Sequence, residues 1–281
     1  MGFYLRPQTL SDALAALAAG RYTILSGATD HFPTRVLATP AEDILDISGV
    51  AELDAIGIDA DGIWIPARAT WRAVIDAGLP ASAAALVAAA RGIGGQQVQN
   101  VATVVGNLCN ASPAADGIPV LLALDAEVEL ARLGARRRMP VADFVLGNRR
   151  TTRAPDELVL GLHIPNPARP AQSVFEKLGA RAYLVISMVM VAVFAEFLPD
   201  GRIAALRAAI GACSSRALRL PALETALAGR FPDPDLVLDD HLAPLTPIDD
   251  VRASAAYRRH AALTLLRRAV ARLAAPGIGP A

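Results

Sequence analysis

The chain has 281 residues with 27 basic and 27 acidic side chains, so its formal net charge is zero, which argues against broad salt-driven binding to nucleic acid or an anionic membrane. Two cysteines, Cys109 and Cys213, are too few for an iron–sulfur cluster or a disulfide framework, and His31, His163, His241 and His260 lack the spacing of a zinc site. No charge-free run of about 18 apolar residues occurs and the N-terminus does not read as a secretory leader, so a soluble, cytoplasmic protein of about two domains is expected.

In chain order, apolar residues Leu10, Ala13, Leu14 and Leu17 predict a helix over 9–19, capped by Thr9 or Ser11 and ended by Gly20. A short buried strand is expected over 22–25, then the small-residue turn Ser26-Gly27-Ala28-Thr29-Asp30, a helix around 31–38, and a strand over 44–47. Strands at 53–58 and 62–65 should pair around a turn at 59–62, followed by helices at 70–78 and 81–91. After the glycine cluster Gly92-Ile93-Gly94-Gly95 comes a polar stretch to Asp116, a helix over 117–124, and strands at 127–133, 138–140 and 158–164. Prolines 165, 167 and 170 mark a linker. Beyond it, strands are expected at 173–177, 185–197 and 203–213, a helix at 220–228, a proline-rich loop at 231–247 and a long helix at 249–275. The apolar run 183–194 reads as a buried strand.

Two segments can carry chemistry. A strand that feeds Ser26-Gly27-Ala28-Thr29 points successive backbone N–H groups outward, a concave site suited to phosphate; an ordinary strand–helix turn has the same residues. The stretch from Thr103 to Asp116 is dense in small polar residues that can lie along a many-armed ligand, with Asp116 accepting from ligand hydroxyls. Equally, it is a loop in which Ser112 or Asp116 caps the following helix. No Ser-His-Asp or Cys-His arrangement is legible, so no catalytic residue is assigned.

Together these segments resemble the FAD-binding medium subunit of the molybdenum hydroxylases, the xanthine dehydrogenase and carbon monoxide dehydrogenase flavoprotein family. Residues 22–31, YTILSGATDH, are similar to that family's first pyrophosphate loop. The stretch 93–116, ending TVVGNLCNASPAAD, is similar to its second FAD loop. FEKLGAR at 175–181 is similar to the opening of its C-terminal domain, and the last helix also matches. The resemblance implies an α+β fold: a two-lobed FAD-binding domain of the vanillyl-alcohol-oxidase/PCMH type over 1–167 (lobes about 1–52 and 53–167), then a C-terminal antiparallel sheet with helices over 171–281. It also implies ligand contacts. Leu25, Ser26, Gly27, Ala28, Thr29, Asp30, His31 and Phe32 would wrap the pyrophosphate, and Thr103, Gly106 and Asn107 would hold it from the other side. Leu108, Cys109 and Asn110 would lie along the flavin, with Ile93 and Val159 flanking the ring or the adenine, and Asp116 would bind ribityl hydroxyls. Lys177, the only lysine in the chain, would contact the cofactor; otherwise it is a survivor of a composition rich in arginine.

By the same resemblance, molybdopterin belongs to a large partner subunit and two [2Fe–2S] clusters to a small one, in a dimer of heterotrimers. The chain would take electrons from the clusters onto FAD and pass them to NAD+ or another acceptor. Three departures stand out. Ala28 and Val105 replace glycines frequent in the family, so either the backbone keeps ordinary conformations there or the loop stands further from phosphate. Leu184 replaces an acidic residue found in some members. Cys109 reads better as a small buried hydrophobe than as a reactive thiol. The alternatives are a stand-alone FAD oxidoreductase of the vanillyl-alcohol-oxidase superfamily and a scaffold without flavin.

Overall fold

A computed structural model describes residues 2–33 and 42–273. The first unit contains β1 (Tyr4–Leu5), α1 (Leu10–Ala19), β2 (Thr23–Leu25) and β3 (Ile44–Asp46). Thr9 Oγ1 accepts from Asp12 N, so Thr9 caps α1, and Ala13 and Leu17 are its buried face. The sheet is parallel throughout, in the order β1-β3-β2. A parallel neighbour requires a crossover, so the chain leaves the carboxyl end of β2 through the small-residue turn, the end at which parallel sheets present ligand sites. The helix expected over 31–38 falls largely outside the described residues; His31–Pro33 is a turn.

The second unit holds β4 (Gly57–Ile58), β5 (Gly62–Pro66), α2 (Trp71–Asp76), α3 (Ala84–Gly92), α4 (Gln96–Gln99), α5 (Val104–Asn110) and α6 (Gly117–Ala123). It continues with β6 (Glu127–Arg132), β7 (Ala135–Pro140), α7 (Val141–Phe144), β8 (Val145–Gly147), β9 (Arg150–Thr151) and β10 (Leu158–Pro165). Its antiparallel sheet has the order β4-β5-β10-β6-β7. The strand expected over 53–58 shrinks to Gly57–Ile58. Val50 and Leu53 are both buried, and their three-residue spacing suits the short 3-10 turn Ala51–Leu53 rather than a strand of period two. The exposed edge β7 is blunted by Arg137 and Arg138, paired with Glu157 and Glu129 at 2.6 and 2.9 Å.

Beyond the linker stand β11 (Ala171–Leu178), β12 (Val189–Phe197), β13 (Ile203–Gly211), β14 (Leu218–Arg219), α8 (Pro221–Leu227) and α9 (Ala255–Leu273). The strands form one antiparallel sheet in that order. Both faces of β12 are covered. Val189, Val191, Val193 and Ala195 pack with α9, while Met190, Ala192 and Phe194 join the core beneath α3 and α6. That double burial explains its near-continuous apolar run. The run stops short of the expected strand start at 185, because Leu184 takes a left-handed φ of 54° and Tyr183, Leu184 and Ile186 are exposed. The last helix begins at Ala255 rather than 249. Asp249 accepts from Ala255 N, and Asp250 accepts from Arg252 N and Ala253 N, so this stretch is spent on turns.

Candidate cofactor site

The turn after β2 is built around Gly27, where a Cβ would lie 2.1 Å from the carbonyl oxygen of Val101. Only glycine lets the first loop press against the second at this point. Ala28 follows with φ 51°. Of the two alternatives for Ala28, an ordinary backbone conformation is ruled out: the chain takes the left-handed turn that glycine usually supplies. Among the described residues, the amides of Gly27, Ala28, Thr29 and Asp30 donate to no protein acceptor. Four such donors at the carboxyl end of a parallel strand form a concave nest for an anion. His31 lies 3.1 Å from Glu42 Oε1 through its Nε2.

The second segment is not an extended loop along a ligand; half of it is α5. Thr103 Oγ1 accepts from Gly106 N at 3.0 Å and caps the helix. A Cβ on Gly106 would meet that hydroxyl at 2.7 Å. Val104 N donates to Ala69 O and Trp71 N to Ala102 O, fastening the segment to the entrance of α2. Val105 is buried inside α5, so its position makes no demand for glycine. Leu108 is fully buried, and Val159 sits in β10 within the core. Neither side chain lies along an open face; only their main chain can meet a ligand. Cys109 is half-buried, and burial pushes its thiol up to about 11, which keeps it neutral and favours the hydrophobe reading. Asn107 Oδ1 accepts from Gly117 N at 3.3 Å, and α5 ends on Ala111 at φ 47°.

Asp116 and Lys177 come together across 61 residues, with Lys177 Nζ donating to Asp116 Oδ2 at 2.6 Å and to Gly92 O at 2.9 Å. Ser187 Oγ donates to Asp116 Oδ1 at 2.5 Å. Neither Asp116 nor Ser112 caps α6: no side chain bonds at that cap, and Ser112 Oγ accepts from Ala114 N instead. Asp116 is only 5% exposed, and desolvation raises its pKa against the opposing pull of Lys177 and Ser187. The lone lysine therefore has a specific partner. An open cleft of about 410 Å3 lies beside it, lined in part by Gly92, Phe175, Lys177, Gly179 and Arg181. Ile93, directly after Gly92 in the chain, is not among the lining residues and packs partly buried against the core.

These parts fit a dinucleotide. A glycine-pressed nest of amides suits a pyrophosphate, and a cation paired with a carboxylate borders a cleft between α3 and β11. Sequence reasoning passed over Ser187, hidden within an apolar run, and Arg149, whose side chain touches both Asp30 and Asn110. Among the described residues no cluster is suited to a metal ion, and no helix is long and apolar enough to cross a membrane.

Residues 1–167 match the family model described as the FAD binding domain in molybdopterin dehydrogenase, and residues 175–273 match the CO dehydrogenase flavoprotein C-terminal domain. The chain belongs to the FAD-binding subunits of the molybdenum hydroxylases. The xanthine dehydrogenase FAD-binding subunit of Escherichia coli O157:H7 is 28% identical, over 98% of this chain and 97% of that protein. The glyceraldehyde dehydrogenase medium chain of Sulfolobus acidocaldarius is 29% identical, over 95% and 96%. Among solved structures, a chain of reconstituted CO dehydrogenase from Oligotropha carboxidovorans superposes with a TM-score of 0.91 at 26% identity, covering 99% of both chains. This flavoprotein subunit thus has the α+β fold, with the FAD-binding type of first domain, that the resemblance implied, and it is an oxidoreductase component.

Proposed function

We propose that this chain takes electrons from [2Fe–2S] clusters of a small partner subunit and delivers them to NAD+ or another acceptor, while a large molybdopterin subunit oxidises the substrate. The observation that carries the reading is the junction of the two loops, where Gly27 meets Val101 and four adjacent amides face no protein acceptor. When bound, FAD supplies a two-electron store that fills one electron at a time. This chain's residues do the rest. The amides of residues 27–30 hold the pyrophosphate, with α5 and its Thr103 cap as the opposite wall. Lys177 and Asp116 border the flavin end of the cleft. We further propose two units, 1–167 and 171–281, with FAD between the first unit's lobes and the C-terminal sheet, and assembly as a dimer of heterotrimers.

The reading is tested on the chain co-expressed with its partners. Visible flavin absorbance in the purified complex, bleached by the holoenzyme's substrate and restored by an acceptor, is the expected result. A complex that assembles without flavin and takes none up on reconstitution overturns it.

A further inference from the structure

One side chain outside the residues assigned above touches both loops. Arg149 stands in the tight turn between β8 and β9 with φ 53°, a left-handed conformation uncommon for a residue with a side chain. Its backbone N–H donates to Ala111 O at 3.0 Å, closing the end of α5. Its Nη1 donates both to Asn110 Oδ1 at 2.7 Å and to Asp30 Oδ2 at 3.0 Å. A single nitrogen thus ties the last residue of α5 to Asp30, which lies 119 positions from Arg149 in the chain.

This contact is poorly placed to serve folding. The Arg149 and Asp30 side chains are about half exposed, and an exposed pair of this kind contributes little stability. Its backbone is nonetheless held in a disfavoured state, and strain of that sort collects where geometry serves a site. The charge arrangement indicates which site. Asp30 lies in the very turn whose amides gather an anion, and its carboxylate repels any phosphate held there. The Arg149 guanidinium, 3.0 Å from Asp30 Oδ2, offsets that repulsion.

We propose that Arg149 is a positioning residue for the cofactor: it fixes the spacing of the two loops around the pyrophosphate and neutralises Asp30. The proposal rests on the FAD reading above. Because both side-chain bonds leave one nitrogen, a lysine ammonium can reproduce them, whereas glycine removes the clasp and also relieves the backbone.

The experiment titrates FAD into the full apo chain, following flavin fluorescence, for the wild type, Arg149→Gly, Arg149→Gln and Arg149→Lys, with thermal unfolding of each apo chain alongside. Arg149→Gly and Arg149→Gln should bind FAD about tenfold more weakly, and Arg149→Lys within about threefold of wild type. Arg149→Gly should unfold at the same temperature or higher. The tenfold gap should narrow at about 1 M salt, where exposed charges are screened. Equal binding by wild type and Arg149→Gly overturns this inference alone. So does a loss of binding matched by a lower unfolding temperature and not rescued by lysine. A wild-type chain that takes up no flavin overturns the cofactor reading and this inference with it.

Discussion

At position 28 the chain puts a methyl group where the backbone asks for none. A left-handed residue other than glycine costs roughly 1–2 kcal/mol, partly offset because glycine loses more freedom on folding. Ala28 adopts φ 51°, so Ala28→Gly should raise stability by up to about 1 kcal/mol, whereas Ala28→Val should lower it by at least about 1 kcal/mol because a β-branched residue fits that region worse. Urea unfolding of the apo chains measures both; a destabilised glycine variant would show that the turn is not left-handed. The neighbouring Gly27 has a different reason to be glycine. Its constraint is a backbone oxygen 2.1 Å from where a Cβ would stand, and sequence alone does not separate that close approach from a demand for positive φ.

Among the elements, α9 shows how a helix start is set by what precedes it. Asp250 is held well below the usual carboxylate range, first by the backbone N–H of Arg252 and then by the side chains of Arg258 and Arg252. Arg258 is 2% exposed and donates to Met188 O and Ala212 O, so it ties the start of α9 to the ends of β12 and β13. A depressed carboxylate stabilises fully above its ordinary pKa of 3.8 and loses that contribution as pH falls through its lower folded value. Acid unfolding of the wild type should therefore steepen below about pH 4. Asp250→Asn should be less stable at neutral pH and flatter in that acid range, read by circular dichroism across a pH series. A slope unchanged by the substitution would remove Asp250 from the account. The expectation of a helix from 249 failed because Asp249 and Asp250 hydrogen-bond the following amides into turns, a use open to aspartate before any helix.

On the scale of the whole molecule, the contact between Lys177 and Asp116 joins β11 to the segment ahead of α6. Both groups are largely buried, and removing one partner leaves an uncompensated charge. Lys177→Met should cost roughly 3 kcal/mol in the apo chain, and adding Asp116→Asn should recover part of that loss. If the double variant regains stability but not flavin, the lysine serves the cofactor directly; if it regains both, the pair is structural. A single variant as stable as wild type in urea would contradict the burial of the pair. The C-terminal sheet is clamped on one face by α3 and α6 and on the other by α9; its α9 face packs a core wholly within the C-terminal half, whereas its other face completes the core of the N-terminal half. An independently expressed C-terminal half would expose the Met190, Ala192 and Phe194 face.

The sequence by itself determined much of this protein, because local rules act within short windows. Thr9 caps α1, the continuous apolar run within β12 marks a strand buried on both faces, and the order of the two loop motifs with FEKLGAR carried the family. It did not determine the helix inside the second loop, since Thr103-Val104-Val105-Gly106-Asn107 has weak helix propensity and Thr103 caps it only once Ala69 accepts from Val104. Nor did it determine the burial of Leu108 and Val159 or the late start of β12 at Val189, beyond the left-handed Leu184. The tertiary structure alone decided which charges meet: Lys177 with Asp116, and Arg149 with Asp30 and Asn110. The physical reason is distance along the chain. Capping and periodicity act over a few residues, whereas pairs 61 and 119 positions apart exist only after the sheets have packed.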